Sequence, residues 1–271
     1  MFAKTETISD FLHLWLTRDL LAPAQQETLN GYYAGYRRRF SERLKHYYRR
    51  QIEDVLELIE SRPGARVLEI GCGTGTESLW MAMRGATIEA IELSKERFEV
   101  AKARKAVVES DLGRKLACEF VNGSLLDIDA AEQYDIVWME QAFHHLEPRD
   151  EVVDKIAGLM KPGGHVVVSE ANGLNPLLQA QLFLQRGFKT LGEFADESGR
   201  LYPYGNERIL SASGLARTLA RAGIQTVSVE HFRIFPNSAV WDNRLGVERA
   251  VPQWLRPLFT HYNYVGRKTG R

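Results

Sequence analysis

The chain has 271 residues, of which 44% are hydrophobic, and its 35 basic side chains balance its 35 acidic ones. This length suffices for one α/β domain with a large core plus appended segments. The zero net charge argues against a general binder of polyanions. Only two cysteines are present, Cys72 and Cys118, which argues against a disulfide framework or a zinc site and favours a reducing compartment.

The beginning of the chain, MFAKTETISD, lacks the pattern of a signal peptide. No apolar run reaches the length of a membrane span. We therefore expect a cytoplasmic protein that has no membrane partner.

The first predicted element is a short amphipathic helix over residues 8–21, capped by Ser9 or Asp10. Pro23 separates it from a long helix. That helix is predicted from Tyr36 to Ile59, because apolar residues recur there at steps of three and four.

Pro63–Gly64 ends the long helix just before the first predicted strand. We divide the chain at this point into an N-terminal helical lid, residues 1–62, and a main domain, residues 63–271.

A basic stretch lies within the lid, where seven of the fourteen residues from Arg37 to Arg50 are Lys or Arg. It is either a surface for RNA or an anionic substrate, or a solvated helix face balanced by the acidic residues that follow. The zero net charge of the whole chain favours the solvated face.

Residues 66–76 read RVLEIGCGTGT, a short apolar run that leads into Gly71, Gly73 and Gly75. The run predicts a buried parallel strand, and the next residues have the composition of a helix. The glycines therefore lie in a strand-to-helix turn, where backbone N–H groups point outward. Glycine permits a positive φ and the close approach of a ligand.

Helices and strands alternate after this turn. Further strands are predicted at residues 87–92, 116–121, 134–139, 165–170, 225–232 and 262–268. The alternation predicts an α/β fold, a doubly wound and mostly parallel seven-stranded sheet with helices on both faces.

Residues 171–210 interrupt this alternation with about forty residues rich in Phe, Leu and Tyr. A connection of this length is usually functional or separately structured. It follows the carboxyl end of strand five, where open α/β sheets bind ligands. We predict a helical cap over the substrate; a purely structural cluster is the alternative.

The pattern Glu69-x-Gly71-x-Gly73-x-Gly75 resembles the first motif of class I S-adenosylmethionine-dependent methyltransferases. A dinucleotide fingerprint would place its third glycine one residue later, at Thr76. Residues 134–146 and 161–165 resemble the family's fourth strand and the turn before its fifth. The resemblance covers about residues 66–232 and implies a Rossmann-like methyltransferase fold.

This resemblance implies S-adenosyl-L-methionine as cofactor and S-adenosyl-L-homocysteine as product. Glu92 corresponds to the family's ribose-binding acid. Ser124 stands where the family commonly has Asp, which weakens the match at the adenine-reading stretch. The donor-binding residues that it implies are Glu69, Gly71, Cys72, Gly73, Gly75, Glu92, Leu93, Ser124, Leu125, Glu140 and Tyr36.

Many small-molecule members of the family carry a histidine near His145, so we predict His145 and His144 as catalytic residues. A histidine has the pKa range of a general base. A helix-start hydrogen bond or a core position is the alternative for each. The residues expected around the acceptor are Tyr32, Glu170, Asn172, Asn175, Phe183 and Tyr202. No metal is assigned, because the acidic pattern of catechol-type enzymes is not reproduced.

The predicted activity is methyl transfer to an O, N or C atom of a small aromatic or hydrophobic molecule, in specialised metabolism. Neither the Asn/Asp-Pro-Pro-Tyr segment nor the Pro-Cys nucleophile of base-modifying methyltransferases occurs. We expect no nucleic-acid partner and a monomer or homodimer. The alternatives are an RNA or protein methyltransferase that uses the basic helix, and a nicotinamide-dependent oxidoreductase.

Overall fold

The computed structural model describes residues 1–129, 131–195, 199–235 and 238–270, with only the backbone of 248 and 249. The chain forms two compact units, Met1–Ser124 and Leu125–Arg271. The N-terminal helices belong to the same unit as the first three strands. Their function as a separate lid stays a prediction.

The first unit consists of N-terminal helices followed by alternating strands and helices. After a 3₁₀ turn at Phe2–Lys4, its elements are α1 (Ile8–Thr17), α2 (Pro23–Tyr32), α3 (Ala34–Arg38), α4 (Glu42–Ser61), β1 (Arg66–Ile70), α5 (Thr76–Met83), β2 (Thr87–Glu92), α6 (Lys95–Leu112) and β3 (Cys118–Asn122).

The predicted cap of α1 was wrong, because Thr7 holds that position. Its side chain accepts a hydrogen bond from the Asp10 N–H, and the Asp10 carboxylate accepts one from the Thr7 N–H. This reciprocal arrangement is a capping box. The N-terminal start near residue 8 is confirmed, but α1 ends at Thr17 rather than at residue 21.

The predicted long helix begins later than the apolar pattern indicated. Ser41 is extended, and its side chain accepts a hydrogen bond from the Leu44 N–H, so α4 starts at Glu42. Tyr36 lies in the separate five-residue helix α3. The Ser41 cap thus divides into two helices a segment that the apolar periodicity alone predicts as one.

The second unit contains the remaining strands, together with short 3₁₀ turns at Leu125–Asp127, Phe143–His145, Ala239–Trp241 and Gln253–Leu258. Its helices and strands are β4 (Tyr134–Glu140), α7 (Arg149–Leu159), β5 (Met160–Ala171), α8 (Pro176–Arg186), β6 (Leu191–Ala195), β7 (Leu201–Gly205), α9 (Ala212–Ala220), β8 (Ile224–Phe232), α10 (Leu245–Arg249) and β9 (His261–Lys268).

Seven strands form one sheet in the order β3-β2-β1-β4-β5-β9-β8. Within each unit the sheet is parallel between β1, β2 and β3 and between β4 and β5, whereas β9 runs antiparallel to both β5 and β8. Val166, Val167 and Val168 of β5 are fully buried, as expected for a strand covered on both faces. The predicted fold class is confirmed.

The segment 171–210 is only partly helical. Helix α8 lies within it as predicted, capped by Asn175 and with Pro176 at its first position. The second half is an antiparallel hairpin of β6 and β7, which pairs Phe194 with Tyr202. The prediction of a helical segment was therefore wrong for its second half.

Across the part of the chain that the structure describes, no helix combines the length and the apolar character that a membrane crossing requires.

Two leucines in the helices of the second unit provide a matched test of this core. Leu219 of α9 is fully buried, whereas Leu184 of α8 is 85% exposed. We expect Leu219→Ala to lower the free energy of unfolding by about 2–5 kcal/mol, since it removes buried methyl groups and leaves a cavity. Leu184→Ala should change it by about 0.5 kcal/mol or less. Urea denaturation of both variants checks this, and equal losses would contradict the assigned burial.

Candidate functional site

The glycine turn between β1 and α5 has the backbone that its sequence requires. Gly71, Gly73 and Gly75 have φ angles of 75°, 54° and 77°, all in the left-handed region that favours glycine. The N–H groups of Gly71 and Cys72 both donate to the carbonyl oxygen of Ile91, at 2.9 and 3.0 Å. The turn is therefore fixed to the carboxyl end of β2.

Space as well as conformation excludes side chains from this turn. A Cβ atom on Gly73 would overlap the phenol of Tyr32. A Cβ atom on Gly75 would lie 2.7 Å from the Phe120 ring and 3.1 Å from the Ala101 methyl. The second and third glycines are required by close packing on both sides.

Glu92 lies at the end of β2 and is buried. One carboxylate oxygen accepts a hydrogen bond from the Gly73 N–H at 2.8 Å, and the other accepts one from the Ser94 N–H at 2.8 Å. Each carboxylate oxygen can accept more than one bond, so the group keeps capacity for ligand hydroxyls. Its two backbone donors hold it in one orientation against the glycine turn.

Glu69 is buried below the turn and accepts a hydrogen bond from the Ser78 hydroxyl. Burial, and then the nearby Glu77, raises its pKa to about 8. Without a bound cation the group therefore holds a proton at pH 7. Burial also raises the pKa of the Cys72 thiol, so this cysteine is not a thiolate.

A buried arginine, which no sequence pattern predicts, supports the turn. One Nη atom of Arg104 donates to the Thr74 carbonyl at 2.7 Å and to the Thr76 hydroxyl at 2.7 Å. Tyr33 shares a 2.6 Å hydrogen bond with the same Thr76 hydroxyl. The guanidinium lies 4.5 Å from the Trp15 ring centroid, so it connects α1 and α2–α3 to the donor loop.

The aromatic side chains of the N-terminal helices pack on the glycine turn and on one another. Tyr32 ends α2 and packs on Gly73. Its contact with the acceptor stays a prediction. Tyr36 packs against the rings of Phe40 and Tyr48, at 5.1 and 5.6 Å. The two tyrosines do not share one helix, because α2 ends at Tyr32. Contact of Tyr36 with the donor stays a prediction.

The remaining predicted donor residues lie at strand ends. Leu93 is half-buried, and its carbonyl accepts a hydrogen bond from the Asn122 amide. Ser124 is half-buried at the end of the first unit. In the second unit, Leu125 is buried and Glu140 is half-buried at the end of β4. Their roles toward the donor stay predictions.

His144 and His145 follow β4 in a 3₁₀ turn. His144 is buried, and its Nδ1 lies 2.7 Å from the Glu170 carboxylate of β5. Burial lowers the pKa of His144, but the Glu170 carboxylate outweighs it, helped by Glu207, whose oxygen lies 3.7 Å from Nε2. The net pKa is raised, so His144 carries positive charge to a higher pH than an ordinary histidine.

His145 has the opposite character. Its Nδ1 lies 2.9 Å from the Gly205 carbonyl, which only accepts, so Nδ1 holds the proton of the neutral ring. Nε2 therefore carries the lone pair, and the Tyr204 hydroxyl lies 3.1 Å from it. Burial, and then the charge of His144, lowers the pKa of His145. It is thus an oriented, neutral base at pH 7.

Two predicted acceptor residues are engaged within the fold. The Asn172 amide donates to the carbonyls of Pro257 and Phe259, and its oxygen accepts from the Leu174 N–H. Asn175 donates to the Leu258 carbonyl and caps α8. These hydrogen bonds engage the side-chain groups of both residues within the fold, so the proposed acceptor site does not include them.

Phe183 and Tyr202 lie apart in the insertion. Phe183 is half exposed on α8, 5.1 Å from the ring of Phe188. Tyr202 is half-buried on β7, with the Arg200 guanidinium 4.8 Å from its centroid. Their contact with an acceptor stays a prediction.

His144, His145 and the residues that contact them form a histidine cluster. Three of its members were not predicted from the sequence: Tyr204, Gly205 and Glu207. They come from the hairpin strand β7 and the turn after it. A non-glycine residue with positive φ, Glu207 at 52°, marks this turn. No pattern in the sequence paired the turn with His145, since the hairpin itself was not predicted.

The family described as a methyltransferase domain matches residues 40–229, which is more than half of the chain. The chain therefore belongs to this methyltransferase family, and it is an S-adenosylmethionine-dependent methyltransferase.

Two curated relatives extend this match. A ubiquinone biosynthesis O-methyltransferase of Bordetella avium is 32% identical over 194 residues, which cover 70% of this chain and 75% of that protein. Methyltransferase GfsG of Streptomyces halstedii is 27% identical over 143 residues, which cover 52% of this chain and only 50% of that protein.

Solved structures show the same fold. A SAM-dependent methyltransferase from Methanosarcina mazei has a TM-score of 0.57 at 14% identity, covering 79% of this chain and 98% of that one. A chain in the complex of the Haloferax volcanii Trm112 activator with a methyltransferase has a TM-score of 0.59 at 16% identity, covering 93% and 100%.

The residues present fit the donor that the family implies. The left-handed turn leaves no room for side chains at Gly73 and Gly75, and a buried, oriented carboxylate ends β2 at Glu92. Glu92 would hold the ribose and the turn would face the amino-acid part. S-adenosylmethionine supplies an electrophilic methyl group on a sulfonium.

The donor role of Glu92 has a direct test. We expect Glu92→Gln to raise the dissociation constant for S-adenosylhomocysteine about tenfold or more, because bonds to a charged group contribute about 1.5–3 kcal/mol each. Glu89→Gln, three residues earlier on β2, is the matched control. Isothermal titration calorimetry measures both, and equal affinities would remove Glu92 from the donor site.

The conformation of Gly73 has a separate test. Gly73→Ala introduces a Cβ at φ 54° and against Tyr32, so we expect donor affinity to fall at least about tenfold while the protein still folds. Gly158→Ala, in α7 with open space around the new Cβ, should bind like the wild type. Retained affinity in a folded Gly73→Ala protein would contradict this placement.

Proposed function

We propose that this methyltransferase acts on a hydroxyl group of a small aromatic or hydrophobic molecule, and that His145 removes the proton of that hydroxyl. One contact carries the proposal: the phenol oxygen of Tyr204 lies 3.1 Å from Nε2 of His145. An acceptor phenol or enol would replace Tyr204 there.

The electrostatics of the cluster support this role. A general base must be neutral before it reacts, and His145 has a lowered pKa and a fixed Nδ1–H. Glu170 and Glu207 favour the charged form of His144, so positive charge in the pair resides on His144. The two histidines have different environments, which push their pKa values apart and place a neutral base beside a charged neighbour.

The reaction needs little else from the protein. Nε2 of His145 would take the proton of the acceptor hydroxyl, and S-adenosylmethionine, when bound, would supply the methyl group to that oxygen and leave as a neutral thioether. Alignment and exclusion of water supply most of the acceleration in such a displacement. Exposed aromatic side chains of the insertion, such as Phe183, support an apolar acceptor.

The relatives support oxygen as the acceptor atom. The Bordetella avium relative is named as an O-methyltransferase of ubiquinone biosynthesis. We infer a phenol-like hydroxyl on a molecule with apolar substituents for this chain, and a place in a biosynthetic pathway.

The basic stretch supports a small acceptor over a nucleic acid. Arg43 is buried, Arg37 donates to the Leu16 carbonyl and Asn30, and Arg49 donates to the Ser9 hydroxyl. Arg50 pairs with Glu53. These side chains stabilise the N-terminal helices, so fewer charges remain for a phosphate backbone, whose recognition needs several exposed cations.

The base assignment predicts a pH profile. With a phenol acceptor, kcat should rise as His145 loses its proton, so the acidic limb should have its midpoint below 6.5. His145→Ala should lower kcat by about 10²–10⁴-fold, with nearly unchanged donor affinity, and should abolish the limb. The exposed His13→Ala is the control.

The assay uses a panel of phenols with apolar substituents and radiolabelled S-adenosylmethionine. If any phenol is a substrate and the His145→Ala enzyme keeps full kcat with the same pH profile, His145 is not the base.

A further inference from the structure

We propose that His144, His145 and Glu207 form a binding site for a divalent transition metal of the zinc type, and that metal binding there inhibits the enzyme. The inhibitory half rests on the proposed function of His145; the binding half does not. This site departs from the sequence expectation, which assigned no metal.

The ligand atoms are already close together. One ring nitrogen of each histidine and one carboxylate oxygen of Glu207 lie within 4.8 Å of one another. The oxygen of Glu207 is 3.7 Å from Nε2 of His144. In a four-coordinate zinc site, with bonds of about 2.0–2.1 Å, neighbouring ligand atoms are roughly 3–3.5 Å apart. A shift of about 1 Å therefore closes the site, and the Glu207 side chain, 40% exposed, can make it.

Both imidazoles are held by outer partners in the manner of metal-binding histidines. The Nδ1 atom of His144 faces the Glu170 carboxylate at 2.7 Å, and that of His145 faces the Gly205 carbonyl at 2.9 Å. A carboxylate or carbonyl on the far nitrogen fixes the ring and directs the other nitrogen toward a metal. The outer partners of these two adjacent histidines therefore point to a cation independently of the closeness of the ligand atoms.

The donor set selects the metal class. Two imidazoles and one carboxylate, with a remaining position for water, match Zn²⁺ and its spectroscopic substitute Co²⁺. Mg²⁺ prefers oxygen ligands and keeps several of its waters, so this set disfavours it. Zinc binding displaces the Nε2 proton of His144 to solvent, and the negative charges of Glu170 and Glu207 then face the metal cation instead of an imidazolium.

Metal binding and proton abstraction compete for the same electron pair. Nε2 of His145 has the lone pair in the tautomer that the Gly205 carbonyl selects. A metal ion on this nitrogen displaces the Tyr204 hydroxyl and leaves no lone pair for the acceptor proton. Occupancy should therefore lower kcat without changing donor affinity.

The binding half is tested with the metals alone. Metal-free protein is titrated with Co²⁺, and the visible absorption of a four-coordinate ion is recorded before Zn²⁺ is added to displace it. We expect one Co²⁺ per chain, and at least about a tenfold weaker affinity in Glu207→Gln. Glu193→Gln, on the exposed strand β6 of the same hairpin, is the control and should bind like the wild type. No stoichiometric binding, or equal affinity in Glu207→Gln, would overturn the site.

The inhibitory half is tested by adding Zn²⁺ to the methyl-transfer assay, with chelator reversal. We expect inhibition over the same concentrations at which Zn²⁺ displaces Co²⁺. Stoichiometric binding without inhibition would overturn the inhibitory half and count against His145 as the base. Absent binding, together with an intact pH limb that depends on His145, would overturn the metal site and leave the proposed function standing.

Discussion

The hydrogen bonds to the buried Glu92 carboxylate are the interactions on which the glycine turn depends. The carboxylate accepts hydrogen bonds from the N–H groups of Gly73 and Ser94, so one buried charge fixes both the glycine turn and the start of α6. The Gly73 N–H can donate that bond only because Gly73 has a left-handed backbone. Arg104 supports the same loop from below through Thr74 and Thr76. A buried charge persists only where it is bonded in this way, so the turn, the strand end and the arginine are one structural unit.

The partners of a buried ionisable group also determine the properties of the histidine pair. The pKa values of two adjacent histidines shift in opposite directions because their partners differ. His144 faces the carboxylates of Glu170 and Glu207, which raise its pKa, whereas His145 faces the Gly205 carbonyl and the charge on His144, and its pKa is lowered. The hairpin of β6 and β7 supplies Gly205 and Tyr204, so the insertion after β5 fixes the tautomer of the proposed base. The same geometry accounts for the proposed competition between a proton and a zinc ion.

The sequence predicted most of the fold and the position of the glycine turn, because those features depend on local patterns. Apolar runs identified the strands, and the spacing of Gly71, Gly73 and Gly75 identified the turn. Three features escaped. Ser41 interrupts a helical periodicity that continues through it, and β6 pairs with β7 within a segment that was predicted as helical. Arg104 lies on a helix of ordinary composition, and its burial depends on Trp15 and Thr74, distant in sequence. The roles of Tyr204 and Glu207 likewise depend on long-range pairing, which no single-sequence pattern encodes.

The ¹⁵N chemical shifts of the His145 imidazole report whether this residue is a neutral base with its lone pair on Nε2. The protein is labelled at histidine, and His145→Ala assigns the resonances. At pH 7 the account predicts a protonated Nδ1 and an unprotonated Nε2 for His145, beside a His144 that titrates at a higher pH. A His145 ring that is protonated on both nitrogens at pH 7, or that carries its single proton on Nε2, would contradict it.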